Sequence, residues 1–506
     1  MGAVYSRHRG SLVMCAALYA ARETLGAVFA RLPLVARIIG EKAVREGSWA
    51  FLFACWVAFV RSAQGSRMCE AMHCFFPLDE MIAVSVERLT GGMHPRAKGI
   101  LLSPADATAV AMDQALRGAG GGVKSAAVQP LDAVQDGALS SMVRVVLTYG
   151  GGGGGGGSGG GDAPASVVVK CVPEDLPTRM SVNAKAMFER EIAFYRTVAP
   201  ALRGKLSAPR LFDARQNVGN GRCAHLVLED LAARPGAEFH APFKEDADLG
   251  VRPEAVHDLL RQLAAMHAQY WRSPDFGVGG ALHWAAEHAK FGASLPTRQE
   301  HFLYHLGWPK FMRHFAATTP DALRKLGDEL YTRLPDLYEH VFNRGPLTLI
   351  HGDVGVYNVM FHDGGGGGGS GLAETPRGKA LADEGGARAC IFDWQTCARG
   401  RGVYDVAFFL SFSVPASVRR AHEERFLRLY HEGLVAGGVS ATEYPFEQLR
   451  QDYAVSLVVA FTTLVFSMGF LPSQYVHPIE IGAKRAIAAI EENDAVAIAR
   501  SVLFPS

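Results

Sequence analysis

The sequence predicts an α+β protein in two lobes, a small β-rich lobe followed by a larger, mainly helical one. Three observations carry this. Two pairs of apolar runs rich in β-branched residues occur, each pair split by a glycine-rich spacer. Helical periodicity brackets the first pair, and from residue 404 onward nearly all of the chain reads as helix. Strands grouped early and helices grouped late are the pattern of an α+β arrangement.

Taken in order, residues 1–95 form an N-terminal extension, 96–233 the small lobe and 234–506 the large lobe. The extension opens "MGAVYSRHRG", which fits N-myristoylation at Gly2 with Ser6 in place, and Cys15 could carry a second lipid. An organellar targeting segment is the alternative. Its apolar run "WAFLFACWVAFV" (49–60) is short of the ~20 residues needed to span a bilayer. The expected location is the cytoplasm, with peripheral membrane association through this extension.

A helix is predicted over 102–116, with Ser103 as N-cap, Pro104 at the first helical position and Asp106 in the first turn. The runs "MVRVVLTY" (142–149) and "ASVVVKCV" (165–172) read as a hairpin interrupted by Gly150–Gly161. Met187, Phe188, Glu191, Ile192 and Tyr195 then recur at helical spacing over 184–198, with Pro200 closing the helix. A strand ends in "HLVLEDLAARPG" (225–236), where the lobes are expected to meet. Residues 253–271 form an amphipathic helix with Val256, Leu259, Leu260, Leu263 and Met266 on one side. "YNVMFHD" (357–363) and "ARACIFDWQ" (387–395) form a second hairpin around Gly364–Gly371. The uncharged stretch 453–471 has the length of a membrane span, but its Ser, Thr and Gly favour a buried helix of the large lobe.

Composition narrows function. Lys and Arg total 51 against 50 Asp and Glu, which provides no global field for nucleic acid. Eight cysteines in 506 residues do not make a disulfide framework, and Cys69, His73 and Cys74 are poorly spaced for zinc.

The chemistry concentrates in "LIHGDVGVYNVMF" (349–361) and "CIFDWQ" (390–395). Asp353 lies on a tight loop after a strand, Asn358 begins the next strand, and Asp393 ends the one after that. A hairpin would bring Asn358 and Asp393 side by side. An amide oxygen and a carboxylate there suit Mg²⁺, which binds through few protein groups plus substrate phosphates. Asp353 is then left to accept a proton.

His-Gly-Asp, four residues, Asn, and a later strand ending Asp-Trp-Gln resemble the kinase-like phosphotransferases. The likeness is to the aminoglycoside phosphotransferase and choline kinase group, and most to its ecdysteroid-kinase-like branch, over roughly residues 100–500. The resemblance implies a two-lobed, protein-kinase-like fold and ATP-dependent phosphorylation of a small-molecule alcohol. It implies Lys170 on the α- and β-phosphates, Glu191 (or Glu189) pairing that lysine, and adenine contacts by the backbone near Glu229, Asp230 and Leu231. His267 and Trp271 match the branch's helix, and Asp405 matches an aspartate that braces the catalytic loop. His351 is expected to orient the loop through hydrogen bonds.

A strand lysine commonly snorkels, but the glutamate-bearing helix downstream favours the functional assignment of Lys170. Two departures stand out. Only Gly137 occupies the expected phosphate loop (132–145), so backbone groups with Ser140 or Ser141 would cover the phosphates. Gly355 and Tyr357 in "VGVY" are also atypical and bear on the substrate. The alternative to an enzyme is a pseudokinase, binding nucleotide or acting as a scaffold without turnover.

Overall fold

The computed structural model describes residues 99–504 except 120–121, 132–139, 151–162, 174–181, 183–185, 218–222, 241–250, 288–294, 364–386 and 471–475. The expectations for residues 1–95, including Gly2, Cys15, Cys69, His73 and Cys74, fall outside the described residues. So do those for Gly137 and for most of both glycine-rich spacers. Residues 95–217 and 223–506 form one compact unit.

The small lobe is a five-stranded antiparallel sheet in the order β1-β2-β3-β5-β4. Its strands are β1 (Val123–Pro130), β2 (Ser141–Tyr149), β3 (Ser166–Cys171), β4 (Leu211–Asn217) and β5 (Cys223–Glu229). The first hairpin pairs in the expected sense, with Val143 opposite Val169. Successive strand side chains point to opposite faces. Val167, Val169 and Cys171 of β3 therefore pack with Met112 and Leu116 under helix α1 (Ala109–Ala115). Lys170 faces the other way, opposite Leu226 of β5. That face is covered by α2 (Met187–Ala193) through Phe188 and Ile192.

Two helix boundaries differ from expectation. Ser103 caps only a 3₁₀ turn, Pro104–Asp106. The Asp106 carboxylate closes that turn by accepting from Leu102 and Ser103 N–H, at 3.0 and 3.3 Å. Helix α1 starts afresh after Thr108, whose hydroxyl oxygen accepts from Ala111 N–H. Pro200 does not stop the helix before it. A π turn, Phe194–Val198, widens the end of α2, and the proline sits within a last turn, Ala199–Ala201.

The large lobe follows as α3 (Pro253–Gln269), α4 (His283–Glu287), α5 (Leu295–Phe315) and α6 (Asp321–Phe342), then four short strands. Strands β7 (Val359–Asp363) and β8 (Ala387–Ile391) form the second hairpin, with Val359 opposite Ile391. Strands β6 (Thr348–Ile350) and β9 (Ala398–Gly400) make a further pair that the sequence did not announce. Helices α7 (Val403–Ser413), α8 (Ala416–Ala436), α9 (Phe446–Phe470), α10 (Val476–Glu492) and α11 (Ala495–Leu503) complete the lobe. The predicted apolar side of α3 is buried at all five positions.

Helix α9 contains the long uncharged stretch from residue 453 onward, and 83% of its apolar window is buried inside the protein. Its polar side chains are satisfied there. Ser456 donates to Asp452 O, and Thr462 shares a hydrogen bond of 2.7 Å with the Tyr338 hydroxyl. The α5 backbone comes so close that a Cβ on Gly307 would overlap the Val465 carbonyl. The four described cysteines, Cys171, Cys223, Cys390 and Cys397, form no disulfide with one another.

Candidate active site

Four segments distant in sequence meet where β3 and α2 face the β7–β8 hairpin. Lys170 Nζ lies 2.7 Å from Glu191 Oε2 and 2.7 Å from Asp393 Oδ1. Lys170 and Glu191 are almost wholly buried, whereas the Asp393 side chain keeps 22% of its exposure. Of the two glutamates the sequence offered, Glu191 is therefore the lysine's partner. Burial pushes the Glu191 carboxyl up to about 7, against the pull of Lys170. Burial alone would lower the lysine, but Asp393 and Glu191 reverse this and hold it above its usual range. One cation between two carboxylates leaves the cluster short of positive charge. Buried charges are expensive unless paired, so such a cluster favours a further cation on its exposed side.

Asp393 follows β8 in the left-handed region, with φ 63°, a conformation that non-glycine residues adopt at a cost and that clusters at functional sites. Its Oδ2 accepts from Gln395 Nε2 at 3.1 Å. The next residue, Trp394, is fully buried and stacks on Phe194 at 3.7 Å with planes 6° apart. This contact docks the glutamate-bearing helix onto the turn that carries Asp393. The Asp-Trp-Gln pattern of the sequence contains Trp394 and Gln395 but assigns neither a role. Glutamine two residues after the aspartate was the available signal.

Asp353 and Asn358 meet across a tight loop. Asn358 Nδ2 donates to the Asp353 carbonyl at 2.8 Å and reaches its Oδ2 at 3.3 Å. The Tyr357 hydroxyl donates to Asp353 Oδ1 at 2.8 Å. Phe392 N–H donates to the Asn358 carbonyl at 3.0 Å. Asn358 is thus tied to the residue directly before Asp393. With its amide nitrogen committed to Asp353, the Asn358 amide oxygen is the atom suited to a cation.

His351, Gly352 and Asp353 are held from behind by Asp405 in the first turn of α7. Its carboxylate accepts from His351 N–H at 2.7 Å, Gly352 N–H at 2.9 Å and His267 Nε2–H at 3.3 Å. His267 in turn contacts the Tyr430 hydroxyl through Nδ1 at 2.8 Å. Asp353 N–H donates to His351 Nδ1, so the proton of that ring sits on Nε2 and is donated to the Phe392 carbonyl. Gly352 has φ +83°, and a Cβ there would lie 2.8 Å from the Thr396 carbonyl. Only glycine fits this turn without strain. Trp271, two residues past the C-terminal end of α3, lies against Tyr444 with ring centroids 4.9 Å apart.

The remaining expected residues stand apart from this cluster. Ser141 opposes Cys171, one position from the Met142–Lys170 pair at the start of β2. No contact of Ser140 or Ser141 with the cluster was found among the described residues. The Glu229 side chain holds Arg234 at 2.8 Å, and Asp230 accepts from Arg144 Nε at 2.6 Å and Ser166 Oγ at 2.7 Å. Those carboxylates secure the segment after β5. Leu231 joins Met360 and Cys390 in a small apolar cluster beside the hairpin.

The described residues contain no group of three or more His, Cys, Asp or Glu able to cage a metal. Asp393 and the Asn358 oxygen make a sparse oxygen donor set. It fits a hard divalent cation that keeps waters and substrate phosphates as its other ligands.

Residues 135–272 and 381–439 match the ecdysteroid kinase-like family. Those segments carry Lys170, Glu191, Glu229–Leu231, Asp393 and Asp405, while the His351–Asn358 loop lies between them. No curated protein matches the chain. Three solved structures illustrate its likenesses. The ethanolamine kinase of Plasmodium vivax is 12% identical, over 73% of this chain and 84% of its own, with a TM-score of 0.37. A choline/ethanolamine kinase family protein of Mesorhizobium loti is 12% identical, over 74% and 92%, with a TM-score of 0.36. The GDP complex of an aminoglycoside 2′-phosphotransferase variant is 12% identical, over 73% and 91%, with a TM-score of 0.35. Likenesses this distant say nothing about substrate. In the two matched segments the chain resembles the ecdysteroid kinase-like family, and its small antiparallel sheet with a large helical lobe is the two-lobed α+β arrangement expected from the sequence.

Proposed function

We propose that the chain transfers the γ-phosphoryl group of ATP to a hydroxyl of a small molecule. The observation that carries this reading is Lys170, seated between Glu191 and Asp393 at 2.7 Å from each. Its ammonium is fixed on a central strand where it can neutralise α- and β-phosphate oxygens. Glu191 sets its direction, and the Phe194–Trp394 stack keeps the helix in place. Asp393 and Asn358 would hold Mg²⁺, which when bound neutralises charge on the phosphate oxygens. Asp353 orients the acceptor hydroxyl and takes its proton as the bond to phosphorus forms. His351 and Asp405 keep that carboxylate in position through the loop backbone. Little covalent chemistry is asked of the protein, because phosphoryl transfer relies mainly on positioning and charge neutralisation. The backbone of Glu229–Leu231 would contact the adenine, with Ser140 or Ser141 near the phosphates.

The test has two stages. Mg²⁺-dependent thermal stabilisation by ATP measures binding. ATP consumption over a panel of amino alcohols, sterols and aminoglycosides then measures turnover. Asp353→Asn is expected to retain the thermal shift and lose about 10²–10⁴-fold in turnover. A wild-type chain that binds Mg-ATP but consumes none with any acceptor, water included, would instead be a pseudokinase. Equal turnover by wild type and Asp353→Asn would refute the role of Asp353.

A further inference from the structure

Tyr357 is foreign to the expected loop pattern, yet its hydroxyl donates directly to Asp353 Oδ1 at 2.8 Å. The other carboxylate oxygen is approached by Asn358 Nδ2 at 3.3 Å. The tyrosine reaches back four residues because the loop folds tightly on itself. Gly355 N–H donates to the Asp353 carbonyl at 2.8 Å, Val356–Asn358 forms a 3₁₀ turn, and Ser413 at the end of α7 accepts from Val356 N–H at 2.8 Å. The ring then lies directly on Gly355. A Cβ at that glycine would come within 2.3 Å of Tyr357 Cε1 and 2.4 Å of Cζ. Any other residue at 355 would push the ring off its seat. The two departures in "VGVY" are therefore one fitted pair.

We propose that Tyr357, seated on Gly355, is a positioning residue that fixes the Asp353 carboxylate for the acceptor hydroxyl. The inference rests on the phosphotransferase reading above. Asp353 sits on a loop, and the contact its carboxylate receives from Tyr357 is shorter than the one it receives from Asn358. The phenol adds a short, directional hydrogen bond to a charged acceptor, the stronger kind. Donation to a carboxylate also makes it a weaker base. In a loose phosphoryl-transfer transition state, however, orienting the hydroxyl matters more than basicity. The net effect of the phenol is therefore to raise turnover. The tyrosine reaches the reaction only through Asp353.

The test uses the full chain with Mg-[γ-³²P]ATP and water as acceptor, reading kcat and KM for phosphate release. The variants are Tyr357→Phe, Gly355→Ala, their combination, and Asp353→Asn. Tyr357→Phe keeps the ring on the glycine and removes only the donor. It is expected to lower kcat about tenfold, the value of one hydrogen bond to a charged group, with KM for ATP within about twofold. Gly355→Ala should lower kcat similarly, and the double variant should be no worse than the poorer single one, because both changes break the same contact. Unchanged kcat in Tyr357→Phe, with turnover lost in Asp353→Asn, overturns the positioning role and leaves the phosphotransferase reading intact. Additive losses in the double variant overturn the pairing with Gly355. Phosphate release no faster in wild type than in Asp353→Asn overturns the reading of the site, and this inference with it.

Discussion

Replacing Asp405 by asparagine tests the brace beneath the His351–Asn358 loop. The side chain is fully buried and accepts three hydrogen bonds, from His351 N–H, Gly352 N–H and His267 Nε2–H. Oδ2 takes two of these donors and Oδ1 takes one. An asparagine would best keep its oxygen at the Oδ2 position, which turns its NH₂ toward Gly352 N–H. Two donors then face each other in a site without room to adjust, since Gly352 already lies against the Thr396 carbonyl. Hydrogen bonds to a charged group contribute about 1.5–3 kcal/mol and an orphaned buried donor costs about 1–3 kcal/mol, so a loss of roughly 2–4 kcal/mol is expected. That corresponds to a fall of roughly 2–5 °C in Tm for a unit of about 400 residues. Urea unfolding followed by tryptophan fluorescence reads the loss, since Trp394 is buried beneath α2. Turnover should fall as well, because Asp353 is the next residue along the released backbone. A stability change below about 0.5 kcal/mol, the size of an ordinary surface substitution, would refute the brace.

Two further outcomes follow from the charged groups. Lys170→Met should weaken Mg-ATP binding at least about tenfold by calorimetry, since a charge-assisted contact is lost and two carboxylates are left without their cation; unchanged affinity would remove Lys170 from the phosphate site. His340 is lowered from 6.5 to about 4, chiefly by burial and then by the Arg401 guanidinium. Between those values the unfolded chain binds more protons than the folded one, so stability present above pH 6.5 is lost as pH falls toward 4. The loss is at most about 3 kcal/mol and nearer 1–2 after solvent screening. Stability of His340→Gln should vary less over that window, and an identical pH dependence would show that other groups govern it.

The strand alternation that puts Lys170 opposite Val169 and Cys171 is written in residues 165–172, and the apolar face of α3 in residues 253–271. A period of two or of 3.6 is a local property, and burying one face requires it. The sequence predicts a tight loop at Asp353 with Asn358 opening the next strand, whereas the left-handed turn at Gly352 and the 3₁₀ turn that ends at Asn358 emerge only in the fold. Other features answer to partners far away in the chain. The three-residue strands β6 and β9 are too short to show a pattern, and they exist because each supplies the other's hydrogen bonds. Helix α1 begins at Thr108 rather than Ser103 because two competent caps lie close together and Asp106 closes its own turn first. The resemblance already prefers Glu191, with Glu189 as the fallback, but the ion pair itself needs the direction of α2, which the stack of Phe194 on Trp394 fixes. The meaning of Gly355 and Tyr357 needed the folded loop. As separate letters they were two irregularities, and only a ring lying where a Cβ would otherwise be makes them one device. The sequence by itself determined which side chains face which way along each element. Tertiary structure decided which of them touch, because contact depends on the packing of segments that share no local periodicity.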